Sequence, residues 1–173
     1  MKQLSLIFIL AILMGCAGHQ GREANTAVAD SNDSVMLANG YEVVKLHKMK
    51  TGHITVTFHI NGKPCELLVD TGGGGTLIDI SKKDTYHLEA LGVRDYAAGI
   101  GSVSSLVRTS AVMEINGKEL KTTDLFLMDI SYLNAEFRKT KGRRVDGVLG
   151  TDFLEKHQAV IDYSHSKMYL LIE

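Results

Sequence analysis

Ile54-Thr55-Val56-Thr57-Phe58-His59-Ile60 alternates apolar and polar residues without a break, and Asn61-Gly62 follows at once. A side-chain period of two puts the apolar set on one face of a half-buried strand. Asn-Gly supplies the two left-handed residues that a tight hairpin turn requires. The return strand reads from Cys65 to Val69. The same pattern recurs later. Val107, Ala111, Met113 and Ile115 share a face, Asn116-Gly117 turns the chain, and a partner strand runs from about Leu120 to Met128. Two such units commit the chain to antiparallel pairing. Thr76 to Ile80 is a further short apolar segment, and Ala159–Asp162 with Met168–Ile172 reads as a last strand pair.

Helical signals are few. Ser81 is a candidate cap for a short helix over about Lys82 to Leu91, with Leu88 and Leu91 at helical spacing and Gly92 as the stop. Thr151 is a candidate cap for Asp152 to His157. Many short strands with glycine-rich turns predict an all-β fold, a sandwich or closed barrel with one or two short helices. The chain has 173 residues, which suits one domain and excludes a two-lobed enzyme in one polypeptide. A formal net charge of -1 gives no reason to expect a nucleic-acid partner. Aromatics are 6% and Trp is absent, so the core must be mostly aliphatic.

The N-terminus reads as an address. Met1-Lys2 precedes an apolar run from Leu4 to Met14, shorter than the ~20 residues needed to span a bilayer. The run ends Leu13-Met14-Gly15-Cys16, which resembles a bacterial lipobox. Residues 1–15 are therefore expected to be a lipoprotein signal peptide, with Cys16 lipidated. The other readings are an uncleaved anchor or a signal cut elsewhere. Residues 16–40 are small and polar and read as a flexible tether to a domain over residues 41–173. The expected location is a bacterial cell envelope, lipid-anchored. Ala17 after Cys16 suits the outer membrane, facing the periplasm. With Cys16 lipidated, Cys65 has no partner and is expected to be a buried small hydrophobe.

Several chemistries drop out. Gly72-Gly73-Gly74-Gly75 leads to Thr76-Leu77, without the Lys of a phosphate loop. Nor does it have the third glycine of a dinucleotide fingerprint. No Gly-x-Ser-x-Gly elbow occurs. The seven His are scattered, and His53 and His59, read on one strand face, lie ~20 Å apart. No metal and no cofactor are expected. Arg138, Lys139, Lys141, Arg143 and Arg144 form a basic run, read as an exposed loop or, failing that, as a contact for anionic lipid.

The segment that carries chemistry is Leu67-Leu68-Val69-Asp70-Thr71-Gly72, an apolar strand running into a carboxylate and a turn. An ionised Asp there is costly unless paired or solvated in a cleft. Its plain alternative is Asp as a turn residue. Downstream come Ala98-Gly99-Ile100-Gly101-Ser102, a small-residue turn, and Asp146-Gly147-Val148-Leu149-Gly150-Thr151-Asp152 before Val160-Ile161-Asp162. This ordered set resembles the retropepsin-like aspartic peptidases, over about residues 52 to 172.

The resemblance implies a closed β-barrel or sandwich. Asp70 would be the catalytic carboxylate, Thr71 would lock the catalytic loops of two subunits together, and Gly72 would allow the tight turn. Leu68, Gly73, Gly74, Gly99, Ile100 and Gly101 would contact a peptide or protein substrate, with Ile100 at the tip of a flap. Val148-Leu149-Gly150 would cross under the catalytic loop. Positions 73–75 are all glycine, a departure from the Ala or Ser and polar residues common in the family. Aspartic peptide hydrolysis needs two carboxylates sharing one proton. A chain with one Asp-Thr-Gly then implies a homodimer, Asp70 against Asp70. The alternative is a non-catalytic peptide-binding envelope lipoprotein on the same fold.

Overall fold

The computed structural model describes residues 32–99, 102–140 and 142–172. The expected signal peptide, Cys16, and the tether up to residue 31 lie outside the described residues, as do Ile100 and Gly101 of the flap. A short helix, α1, covers residues 32–38 and leads into β1 (Tyr41–Lys45) and β2 (His47–Lys48). β3 (Ile54–Ile60) and β4 (Lys63–Val69) form the first hairpin, and β5 (Leu77–Asp79) follows. β6 (Val93–Gly99) pairs with β7 (Ser102–Ile115), which turns back as β8 (Lys118–Met128). The chain closes with α2 (Ser131–Lys139), β9 (Gly147–Leu149), α3 (Thr151–Lys156), β10 (Val160–Asp162) and β11 (Lys167–Leu171).

Both Asn-Gly pairs turn as expected. Asn61 and Gly62 have φ of 48° and 77°, Asn116 and Gly117 of 51° and 76°. This left-handed pair matches the twist of the flanking strands. The larger sheet runs β2-β3-β4-β9-β5-β8-β7-β6, and a further pairing of β3 with β7 closes it into a barrel. The second sheet, β1-β11-β10, contains the expected last strand pair. β3 buries Ile54, Val56, Phe58 and Ile60 in one core with Leu67, Ile78, Leu125 and Leu149. Each such side chain contributes about 1.5–3 kcal/mol on leaving water. Met113 and Ile115 are buried there too, and Val107 and Ala111 pack against the same core. A second cluster gathers Met49, Leu68, Met128, Ile130, Phe137, Val145 and Val148.

Local readings differ from the structure in five places. The turn after β5 is a single 3-10 turn, Ile80–Lys82, capped by Asp79, whose carboxylate accepts from the Ser81 amide at 3.0 Å. Ser81 is therefore inside the turn. Leu88 is buried and Leu91 exposed, so they share no face. α3 begins at Thr151 with Gly150 as its cap, because the Thr151 hydroxyl is occupied elsewhere. α2 was not foreseen: Ile130, Leu133 and Phe137 recur at helical spacing and pack in the second cluster. It takes Arg138 and Lys139 out of the expected loop, and Arg143 lies 3.8 Å from Glu66. His53 precedes β3 and packs edge-on against Phe137, so it shares no strand with His59. α1 falls in the expected tether, where Asp33 pairs with Lys167 and accepts from the Tyr169 hydroxyl at 2.8 Å.

Candidate active site

β4 carries Leu67, Leu68 and Val69 through the interior and delivers Asp70 at its end. The chain loops out through residues 71–76 and returns as β5. β9 fills the gap between the two strands, parallel to β4 (Val69 opposite Leu149) and antiparallel to β5 (Leu77 opposite Val148). Such an insertion needs backbones closer than side chains allow. A Cβ on Gly147 would lie 2.2 Å from the Leu77 carbonyl oxygen, and one on Gly150 would lie 2.5 Å from the Gly75 carbonyl carbon. Glycine at 147 and 150 is thus a steric condition for the crossing.

The crossing segment holds the loop at three points. The Asp70 amide donates to the Leu149 carbonyl at 3.1 Å. Thr151 donates to the Gly73 carbonyl from its amide at 2.7 Å and from its hydroxyl at 3.1 Å. Asp152 accepts from the Thr76 amide at 2.9 Å and the Thr76 hydroxyl at 2.7 Å, while that hydroxyl oxygen accepts from the Gly150 amide at 3.1 Å. Thr76 is fully buried, so every one of these polar groups is satisfied inside the fold. Sequence reading named neither Thr76 nor Asp152 as a site residue. The signal available was a threonine just past the glycines and an Asp in the first turn of a helix.

Within this clamp Asp70 is half-buried. Its Oδ1 accepts from the Gly72 amide at 2.9 Å, and its carbonyl accepts from the Gly73 amide at 3.2 Å. Thr71 and Gly72 are exposed beside it. A carboxylate at the mouth of a buried strand, with one fixed donor and solvent access, can exchange a proton with a bound water. Leu68, expected to line the cleft, is only 6% exposed and packs in the second cluster beneath. Gly73 and Gly74 lie in the loop itself. Gly99 ends β6 and pairs with Ser102 of β7, so the expected flap is a hairpin up to its tip.

Other carboxylates near these motifs have structural work. Asp79 is 3% exposed and caps the turn after β5. Asp146 accepts from the Glu66 amide at 3.2 Å and the Tyr86 hydroxyl at 3.0 Å, and pairs with Lys82 at 2.9 Å. Asp152 holds Thr76, and Asp162 holds His165. Cys65 is buried and free, and burial pushes its thiol up to about 12, which makes it inert at neutral pH. Among the described residues no cluster of His, Cys, Asp or Glu could hold a metal ion. A cavity of about 390 Å³ lined by Asp79, Asp129, Arg138 and Arg144 lies at the far end of β5 from Asp70 and belongs to another part of the surface.

Comparison with known proteins agrees with this geometry. A family model described as "Aspartyl protease" matches residues 54–153. No curated protein matches. A retropepsin-like aspartic protease from Rickettsia conorii superimposes with a TM-score of 0.51 at 17% identity, covering 76% of this chain and 90% of that one. EIAV protease in complex with the inhibitor HBY-793 gives 0.49 at 20% identity, covering 62% and 90%. The retroviral protease-like domain of Ddi1 from Leishmania major gives 0.49 at 16%, covering 75% and 90%. At such identities the Rickettsia likeness speaks for the fold alone. The family match takes in Asp70, the glycine loop and the crossing strand, and spans more than half of the sequence: the chain belongs to the aspartyl protease family, on a retropepsin-like fold.

Proposed function

We propose that this protein is an aspartic endopeptidase that works as a homodimer, with two Asp70 carboxylates facing each other across a two-fold axis. The observation that carries this reading is the division of labour among carboxylates. Asp70 is presented half-exposed by a clamped loop, while Asp79, Asp146, Asp152 and Asp162 are each tied into hydrogen bonds that hold the fold. The chemistry needs a second carboxylate, and a second copy supplies it with the same geometry.

Two carboxylates ~3 Å apart do not both ionise, so the pair shares a proton. The ionised member takes a proton from water as the water oxygen attacks the peptide carbonyl. The protonated member donates to the carbonyl oxygen, giving a neutral tetrahedral diol. Collapse of the diol breaks the C–N bond as the leaving nitrogen is protonated. Thr71 is exposed beside Asp70, which supports its assignment as the residue that joins the two catalytic loops across the axis.

The test is digestion of a diverse peptide library by wild type and by Asp70→Asn, with oligomeric mass measured on both. Wild type should cleave as a dimer, and Asp70→Asn should lose cleavage, by at least ~10⁴-fold, with an unchanged fold. The glycines at 73–75 favour a second reading, a peptide-binding protein without catalysis, because these three positions offer no polar side chain to hold substrate. A dimer that binds peptides and cleaves none between about pH 3 and pH 8 would establish that reading instead. We also propose that Cys16 carries the lipid that anchors the domain to a bacterial outer membrane, facing the periplasm. Mass spectrometry of the mature N-terminus tests the lipid.

A further inference from the structure

Arg138 and Arg144 come from opposite ends of the basic run, yet both line one cavity of about 390 Å³. Their neighbours in the run have partners: Lys139 lies 2.6 Å from Glu136, and Arg143 lies 3.8 Å from Glu66. The guanidinium groups of Arg138 and Arg144 make no hydrogen bond or ion pair to the described residues. A cation in the last turn of α2 suits the helix dipole, which accounts for Arg138. It does not account for Arg144, nor for the two sharing a cavity.

The backbone positions of this pair are fixed. Asn134 is buried, donates its Nδ2 to the Val145 carbonyl at 3.0 Å and accepts from the Val145 amide at 2.9 Å. These two bonds tie the middle of α2 to the residue that follows Arg144. Ser131, Asn134 and Arg138 stand three and four residues apart, so one face of α2 forms a wall of the cavity. Asp129 lies just before that wall, and the pairing of β5 with β8 sets Asp79 beside Met128, next to Asp129. The carboxyl groups thus stand where α2 begins, while the arginines enter from its last turn and the loop that follows. The amide of Ser131, at 2.8 Å, and its hydroxyl hold the Asp129 carboxyl below its usual range, so it is charged at neutral pH. Asp79 accepts from the Ser81 amide at 3.0 Å. Such bonds use only part of a carboxylate's acceptor capacity.

We propose that this cavity binds a short peptide with free termini, its C-terminal carboxylate held by Arg138 and Arg144 and its N-terminal ammonium beside Asp129 and Asp79. The planar guanidinium fork matches a carboxylate. A simple anion would satisfy the arginines and be repelled by the acids, whereas a zwitterion answers both. Length agrees with this. α2 rises about 10 Å from Ser131 to Arg138, and an extended tripeptide spans about the same. Side chains on a helix lean toward its N-terminus, which brings Arg138 back toward Ser131, so two or three residues suffice. The site lies at the other end of β5 from Asp70 and does not rest on the peptidase reading.

The test is isothermal titration calorimetry of the full chain with trialanine, N-acetyl-trialanine and trialanine amide. Wild type, Arg144→Gln, Asp129→Asn and Asp70→Asn are compared, with folding checked by circular dichroism. Trialanine should bind wild type and Asp70→Asn alike, one per chain. Capping either terminus, Arg144→Gln and Asp129→Asn should each weaken binding at least about tenfold, the effect of losing one charge-assisted contact. The site is overturned by no saturable binding up to about 10 mM, or by equal affinity for the capped peptides. Unchanged affinity in folded Arg144→Gln or Asp129→Asn overturns it as well. Loss of binding in Asp70→Asn would place the peptide in the catalytic cleft and also overturn it. Should a variant fail to fold, the capped peptides on wild type decide the matter alone.

Discussion

A methyl group on Gly150 would press to within 2.5 Å of the Gly75 backbone, whereas one on Gly74 would meet nothing within 4 Å. The two glycines therefore respond oppositely to the same change. Gly150→Ala should force the crossing segment off the loop and lower unfolding free energy by about 1–3 kcal/mol or more. Gly74→Ala should stabilise slightly, by about 0.4–1 kcal/mol, because alanine has fewer unfolded conformations to lose. Urea denaturation of both variants checks this pair. Equal losses would mean that the loop does not sit against the crossing segment as described. At this scale Asp70-Thr71-Gly72 could be read directly, because a carboxylate at the end of an apolar strand has few purposes. The role of Thr76 could not. Its partner Asp152 is far along the chain, and only the fold brings the two together.

Among elements, the junction between the Asp70 loop and the start of α3 carries most of the site's rigidity. Asp152→Ala removes the acceptor for two donors of the fully buried Thr76, and should cost about 1–3 kcal/mol. Asp152→Asn keeps one acceptor oxygen and should cost less. Chemical denaturation gives the order, and amide exchange at Gly73 should rise in the alanine variant as the loop loosens. The β10–β11 turn makes a separate prediction about pH. The His165 ring nitrogen at 2.7 Å and its amide at 3.0 Å hold the Asp162 carboxyl below its usual range. A folded pKa below the unfolded one means that the stabilising contribution is complete above about 3.9 and fades as pH falls through the folded value. The stability gap between wild type and Asp162→Asn should therefore hold down to about pH 4 and close below it, as pH falls through the folded value. It should be small throughout, since the pair is partly solvated. Hairpins were the most legible elements, because Asn-Gly encodes a local dihedral requirement. α2 was not, because its apolar positions Ile130, Leu133 and Phe137 are few and run straight into a basic segment.

For the whole molecule, closure of the barrel through β3 and β7 and insertion of β9 between β4 and β5 are long-range facts. Strand patterns alone left both a sandwich and a barrel open; pairing partners decided it. On the proposed mechanism each chain brings Asp70 alone, held by its clamped loop, and so half of the carboxylate pair that aspartic peptide hydrolysis requires. Activity per molecule should accordingly fall on dilution through the dimer dissociation constant, a dependence that a self-sufficient monomer lacks. Mixing subunits tests this claim most directly. Wild type and Asp70→Asn are combined at varied ratios, equilibrated, and assayed at constant total protein. A site built from two Asp70 residues predicts that activity follows the square of the wild-type fraction, about one quarter at equal parts. Activity that falls in simple proportion to the wild-type fraction would show that each chain works alone, and would contradict the account.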